Sequence, residues 1–127
     1  MSEDAYSQTA LEHLERPRNV GTLGDPSGTG SDANPSCGDR TTITLRVADG
    51  RLAEIRFRTF GCTAAIASAS VLTELAGGRS VDDAALIEPA DVLNALGGLP
   101  ARKEACALMA IGALRAALVD ARLKATA

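Results

Sequence analysis

The sequence predicts an α+β domain: a small antiparallel sheet of about three strands, covered by helices. Two observations point to the sheet. Residues 42–47 and 53–59 alternate apolar and polar positions, and between them stands Asp49-Gly50, a dipeptide that favours a tight hairpin turn. The strands are grouped early, with segments of helical spacing standing around them. A third observation concerns the core. Only Tyr6, Phe57 and Phe60 are aromatic, yet 46% of the 127 residues are hydrophobic, so Ala, Leu, Ile and Val must fill the interior, which favours closely packed helices. The length fits a single domain over residues 1–127.

Taken in order, residues 4–15 predict a helix with Ser2 or Asp4 as N-cap, with Tyr6, Ala10, Leu11 and Leu14 on one face and Pro17 as the stop. Residues 16–38 are rich in Gly, Pro, Ser, Asn and Asp and read as an irregular segment with room for one short edge strand. In the hairpin that follows, Ile43, Leu45 and Val47 face inward against Ala53, Ile55, Phe57 and Thr59. Thr42, Thr44, Arg46, Glu54, Arg56 and Arg58 form a wet face. The segment "GCTAAIASASVLTELAGG" reads as a helix whose small residues allow close approach and whose end is marked by Gly77 and Gly78. Ser80 and Asp83 suit the cap of a short helix over residues 81–87. Pro89 suits the first turn of another that ends at Gly97 and Gly98. Leu108, Ile111, Leu114 and Leu118 set the apolar spacing of a last helix over residues 102–124.

Composition also narrows the function. The formal net charge is −3 and Lys and Arg are not clustered, so nucleic acid is not an expected partner. The most apolar stretches, 62–75 and 106–119, are interrupted by Glu74 and Arg115 and fall short of a membrane span, so no membrane association is expected. The start "MSEDAYS" lacks the basic and apolar regions of a secretory signal, which predicts a cytoplasmic protein with reduced thiols. An odd count of three cysteines cannot be consumed by internal disulfides.

Each cysteine stands at a junction: Cys37 in the turn entering the hairpin, Cys62 at the start of a helix, and Cys106 in the first turns of the last helix. A helix N-terminus biases a thiol toward thiolate, and Arg102 and Lys103 would add to this at Cys106. Gly38 and Gly61 remove bulk beside two of the thiols. A single buried cysteine is as well explained as a small core residue, and the long separations do not match the paired spacing of a structural zinc site. Asp39 is the nearest candidate for a fourth metal ligand, although its local context alone favours a turn residue capping its own backbone. His13, the only histidine, reads as a surface or helix-end residue rather than a ligand. Arg56 and Arg58 read as a solvated face or a docking patch.

The stretches "YSQTALEHLERPRNVG", "PSCGD", "RFRTFGCTAAIASASVLTELAGGRS" and "LGGLPARKEACALMA" together resemble the iron–sulfur cluster assembly scaffold family, of the IscU and NifU N-terminal type, over residues 6–122. The resemblance implies a SufE/NifU-like α+β fold and a non-catalytic scaffold. A transient [2Fe-2S] cluster would be assembled on three cysteines and an aspartate and delivered to recipient apo-proteins. It implies Cys37, Asp39, Cys62 and Cys106 as the ligands of iron or cluster. It also implies a cysteine desulfurase as partner that supplies persulfide sulfur, for which Cys106, with its basic neighbours and helix start, is the candidate acceptor. A set of three thiolates and one harder oxygen suits a cluster that must be released, and because it accepts Zn2+ readily, isolated material can hold zinc in place of a cluster.

The chain departs from the family pattern at several positions. Ala105 stands where a histidine often precedes the third cysteine, and Thr63 follows Cys62 where glycine is common. "LPARK", residues 99–103, replaces the "LPPVK" that a dedicated chaperone system recognises in one branch. The alternative function is a zinc-dependent sulfurtransferase resembling the SufU branch; the compact region 77–100 lacks the insertion of that branch.

Overall fold

A computed structural model describes residues 6–34 and 38–125. The element order is α1 (Gln8–Glu15), β1 (Gly28–Asn34), β2 (Asp39–Ala48), β3 (Arg51–Phe60), α2 (Thr63–Ala76), α3 (Val81–Ala85), α4 (Pro89–Leu96), a 3-10 turn (Ala101–Lys103) and α5 (Ala105–Ala125). The three strands form one antiparallel sheet in the order β1-β2-β3. The expected α+β architecture is therefore the observed one.

The β2–β3 hairpin turns through Asp49 and Gly50, both at positive φ (54° and 74°), the backbone that this dipeptide tolerates best. A bulge falls after Arg46. Leu45 pairs with Ile55 and Arg46 with Glu54, but Val47 pairs with Leu52, so Ala53 is the extra residue. That shift corrects the simple alternation: Leu52 turns inward beside Ile55 and is fully buried, whereas Ala53 faces solvent.

α5 lies along β1 and β2, and α2 lies along β3 and α5. The core joins Ile43, Leu45, Leu52, Ile55 and Phe57 of the sheet to Leu72 of α2, Val92 and Leu96 of α4, and Ile111, Leu114 and Leu118 of α5. Leu108 departs from its expected role. It is 60% exposed, because the buried stripe of α5 is centred on Ala110, Ala113, Ala117 and Ala121, on the opposite side.

The face expected to be wet is partly covered. The Thr44 hydroxyl accepts from the Leu23 amide at 3.1 Å, Arg46 donates to the Gly24 carbonyl at 2.6 Å, and Arg58 donates to the Thr22 hydroxyl at 3.0 Å. The irregular segment thus folds back over the sheet, and its residue Val20 bridges to Phe57.

Helix caps follow the sequence with one shift. Ser7, rather than Ser2 or Asp4, caps α1, its hydroxyl accepting from the Ala10 amide at 3.0 Å; Ser2 and Asp4 lie outside the described residues. Ser80 caps α3 by accepting from the Asp83 amide at 3.1 Å, and Glu88 and Asp91 form a reciprocal box at α4, whose end is Gly97 at φ 76°.

Candidate functional site

Three elements begin at one place. Asp39 is the first residue of β2, Cys62 is the N-cap of α2, and Cys106 is the second residue of α5. The Cys62 and Cys106 sulfurs are 3.7 Å apart, and one carboxylate oxygen of Asp39 lies with them so that all three atoms fall within 4.8 Å of one another. Cys106 and Asp39 are buried, whereas Cys62 is half-buried and gives the group a side open to solvent. Cys37 lies outside the described residues.

Local structure explains why the groups converge. Cys62 has the extended backbone of an N-cap, and its carbonyl accepts from the Ala65 and Ile66 amides at 3.0 and 3.2 Å, but its sulfur makes no capping bond. That sulfur is left to face the site. At Gly61 a Cβ would stand 2.8 Å from the Asp39 Cγ and 3.0 Å from its Oδ2, so the space that glycine frees is occupied by the carboxylate itself. The bulk that Gly61 removes beside Cys62 thus makes room for the Asp39 side chain. Ala64, Ala65 and Met109 pack around Cys106, with Tyr6 and Leu99 at the edge, and make the inner wall apolar.

The electrostatics follow from that wall. Burial pushes the Cys106 thiol up to about 12, and the neighbouring Cys62 sulfur and Asp39 carboxylate push in the same direction, with Lys103 working against them. The expected thiolate bias at Cys106 is therefore overturned in the free site: desolvation and like charge outweigh the helix start and the basic neighbours. Lys103, partly exposed, has its own pKa raised, chiefly by the Cys62 sulfur. A site that gathers two sulfurs and a carboxylate at such cost is relieved when a cation enters and displaces the proton. Two soft donors and one hard one suit Zn2+ or iron rather than Ca2+ or Mg2+.

His13 is elsewhere: it stands in the last turn of α1, the helix-end position expected, but not at the surface. It is buried, with Nδ1 2.7 Å from the Ser70 hydroxyl and Nε2 3.3 Å from Glu74, and it ties α1 to α2. Arg56 donates to the Ile55 carbonyl at 2.8 Å and stands 3.8 Å from Glu54, so with Arg58 bound to Thr22 these arginines secure the loop and strand. What the sequence reading missed is the apolar wall of Ala64, Ala65 and Met109; the i, i+3 spacing of Cys106 and Met109 was the available signal. It also missed Phe60, which stands 81% exposed two residues before Cys62, as alternation from the buried Phe57 would have indicated. No helix among the described residues is long and apolar enough to cross a membrane.

Comparison with known proteins gives a consistent picture. The model of the NifU-like N terminal domain family matches residues 5–127. The chain is 47% identical over 115 residues to the iron-sulfur cluster assembly scaffold protein IscU 1 of Archaeoglobus fulgidus, covering 91% of this chain and 75% of that one. It is 39% identical over 124 residues to the scaffold protein IscU of Escherichia coli, covering 94% and 96%. The fold superposes with a TM-score of 0.75 and 19% identity on the crystal structure of a SUF-system scaffold protein from Fervidobacterium islandicum, over 89% of this chain and 96% of that one.

Proposed function

The chain belongs to the family of NifU-like N-terminal domains, and from that premise we propose that it serves as a scaffold on which an iron–sulfur cluster is assembled for transfer to other proteins. The observation that supports this most directly is the convergence of the Cys62 and Cys106 sulfurs, 3.7 Å apart, with the Asp39 carboxylate at a half-open site. The cluster is cargo. Cys62, Cys106 and Asp39 bind it, Cys37 supplies the further thiolate, and the cluster is of the [2Fe-2S] type. The mixed donor set holds it less firmly than four thiolates would, which suits a protein that must let go. Zn2+ occupies the same donors when iron and sulfide are lacking.

Residues 1–127 act as one scaffold domain in the cytoplasm. A cysteine desulfurase delivers sulfur as persulfide, and Cys106 accepts it; Lys103 offsets part of the rise in that thiol's pKa and favours the nucleophilic form. Recipient apo-proteins take the finished cluster. A chaperone system is a weaker assignment, since only "LPARK" stands at the recognition segment.

The test is anaerobic reconstitution with ferrous iron, cysteine and a desulfurase. Visible charge-transfer absorption is expected, and it should disappear when Cys37, Cys62 or Cys106 is replaced by Ser. Asp39→Cys, which completes four thiolates, should still form the cluster but slow its release. A colourless protein would overturn the scaffold reading, and persulfide without colour would favour the sulfurtransferase. Sulfur acceptance that survives Cys106→Ser, read by mass spectrometry, would remove the role given to Cys106.

A further inference from the structure

We infer that the Cys62–Cys106 pair also releases sulfide from a persulfide carried on one of its members. The inference rests on the scaffold reading, because sulfur that arrives as persulfide is at the oxidation level of elemental sulfur and a cluster is built from sulfide. Two electrons must come from somewhere, and the geometry places a dithiol at the point of delivery.

With the persulfide on Cys106, the inner sulfur is the Cys106 Sγ, and the Cys62 Sγ stands 3.7 Å from it in the free protein. A disulfide bond is about 2.05 Å, so a small side-chain movement closes the gap. The Cys62 sulfur is uncommitted to capping α2 and half-exposed, and Ala64, Ala65 and Met109 pack with Cys106 in an apolar wall.

The step balances. The Cys62 thiolate attacks the Cys106 Sγ and forms a Cys62–Cys106 disulfide. The bond between the Cys106 Sγ and the outer sulfur breaks, and the outer sulfur takes the bonding pair, keeps its proton and departs as hydrosulfide. The outer sulfur is reduced by two electrons; the two cysteine sulfurs together are oxidised by two. A dithiol reductant, itself oxidised to a disulfide, returns the pair to thiols before the next round. Each sulfide supplied in this way therefore costs one dithiol reduction, and the open and closed states of the pair couple scaffold loading to the supply of reductant.

The experiment uses the full chain in a Cys37→Ser background, reduced, freed of small thiols, and treated anaerobically with inorganic polysulfide without metal. Aliquots are quenched with an alkylating agent, peptides are mapped by mass spectrometry, and free sulfide is measured as its bimane adduct. Persulfide on the pair should rise and then fall as a Cys62–Cys106 disulfide peptide grows, with about one sulfide released per loaded chain. Cys62→Ser and Cys62→Ala should retain the persulfide on Cys106 and release at least roughly tenfold less sulfide, with circular dichroism confirming that both fold. A persulfide that persists on the intact pair, or release that is unchanged in both Cys62 variants, would overturn the inference. Reconstitution with iron and inorganic sulfide bypasses this step. Colour there combined with a persistent persulfide would sink the inference and leave the scaffold standing, whereas no colour would sink both.

Discussion

At the scale of single residues, the site is a compromise between donor geometry and desolvation. Asp39 reaches the sulfurs because Gly61 has no Cβ, so Gly61→Ala should displace the carboxylate without unfolding the chain. We expect about a tenfold loss of Zn2+ affinity, the scale on which groups that orient ligands usually act, measured by competition with a chromophoric chelator. Unchanged affinity would mean that the carboxylate relocates at no cost. Cys106 gives a second residue-scale prediction, and its sign follows from linkage. The folded thiol titrates at about 12 against an ordinary value of 9.0, so as pH rises the unfolded chain loses this proton first. The associated stability is whole below about pH 9 and declines as pH climbs toward 12. Urea midpoints of the metal-free protein compared with Cys106→Ala should show a steeper alkaline decline in the parent. Parallel curves would mean that the thiol is not desolvated as described.

At the scale of elements, what the sequence showed and what it hid can be separated by range of interaction. Hairpin turn, caps and helix ends were readable because each depends on residues a few positions apart: Asp49-Gly50, Ser80 with Asp83, and Gly97 all behave as local chemistry requires. β1 was only hinted at, because Gly28 and Gly30 look like loop punctuation. Their role depends on α5, nearly a hundred residues away. A Cβ on Gly30 would come within 2.6 Å of the Ala116 carbonyl carbon, and one on Gly28 within 2.7 Å of the Ala121 nitrogen, so these glycines let strand and helix backbones meet. Gly30→Ala should cost about 3 kcal/mol in a denaturant titration, as overpacking typically does; a shift under about 1 kcal/mol would show that β1 can lift away freely. His13 was misplaced for the same reason, since its partners Ser70 and Glu74 lie on α2. Desolvation, aided by Arg18 and opposed by Glu74 and Glu12, holds its pKa below the ordinary 6.5. Protonation therefore favours the unfolded chain, so stability present above about pH 6.5 should fall as pH drops below it. Thermal midpoints for the parent and His13→Gln, recorded between about pH 5 and 8, should converge at the acidic end; a constant difference would mean that His13 takes up its proton equally in the folded and unfolded chains.

At the scale of the whole molecule, the site lies where β2, α2 and α5 all begin, so a bound ion would join elements that the chain connects only through long intervening segments. The family motifs pointed to Asp39, Cys62 and Cys106, which the fold brings together, but not to a buried Cys106 beside a half-open Cys62. That difference depends on how α5 settles against α2 and the sheet. The junction makes metal binding and folding one equilibrium. In the metal-free chain the buried Cys106 thiol keeps its proton among the three element starts, and a cation that displaces this proton adds bonds between them. An ion that binds only the folded chain should stabilise it by about 4 kcal/mol at a free concentration a thousand times its dissociation constant. Calorimetry of the stripped protein with and without Zn2+ should show the melting temperature rising with metal concentration, and Cys62→Ala should remove most of the rise. Equal melting temperatures for stripped and zinc-loaded protein would mean that the three donors do not close on an ion, and would break the link drawn between the packing of these elements and the site they form.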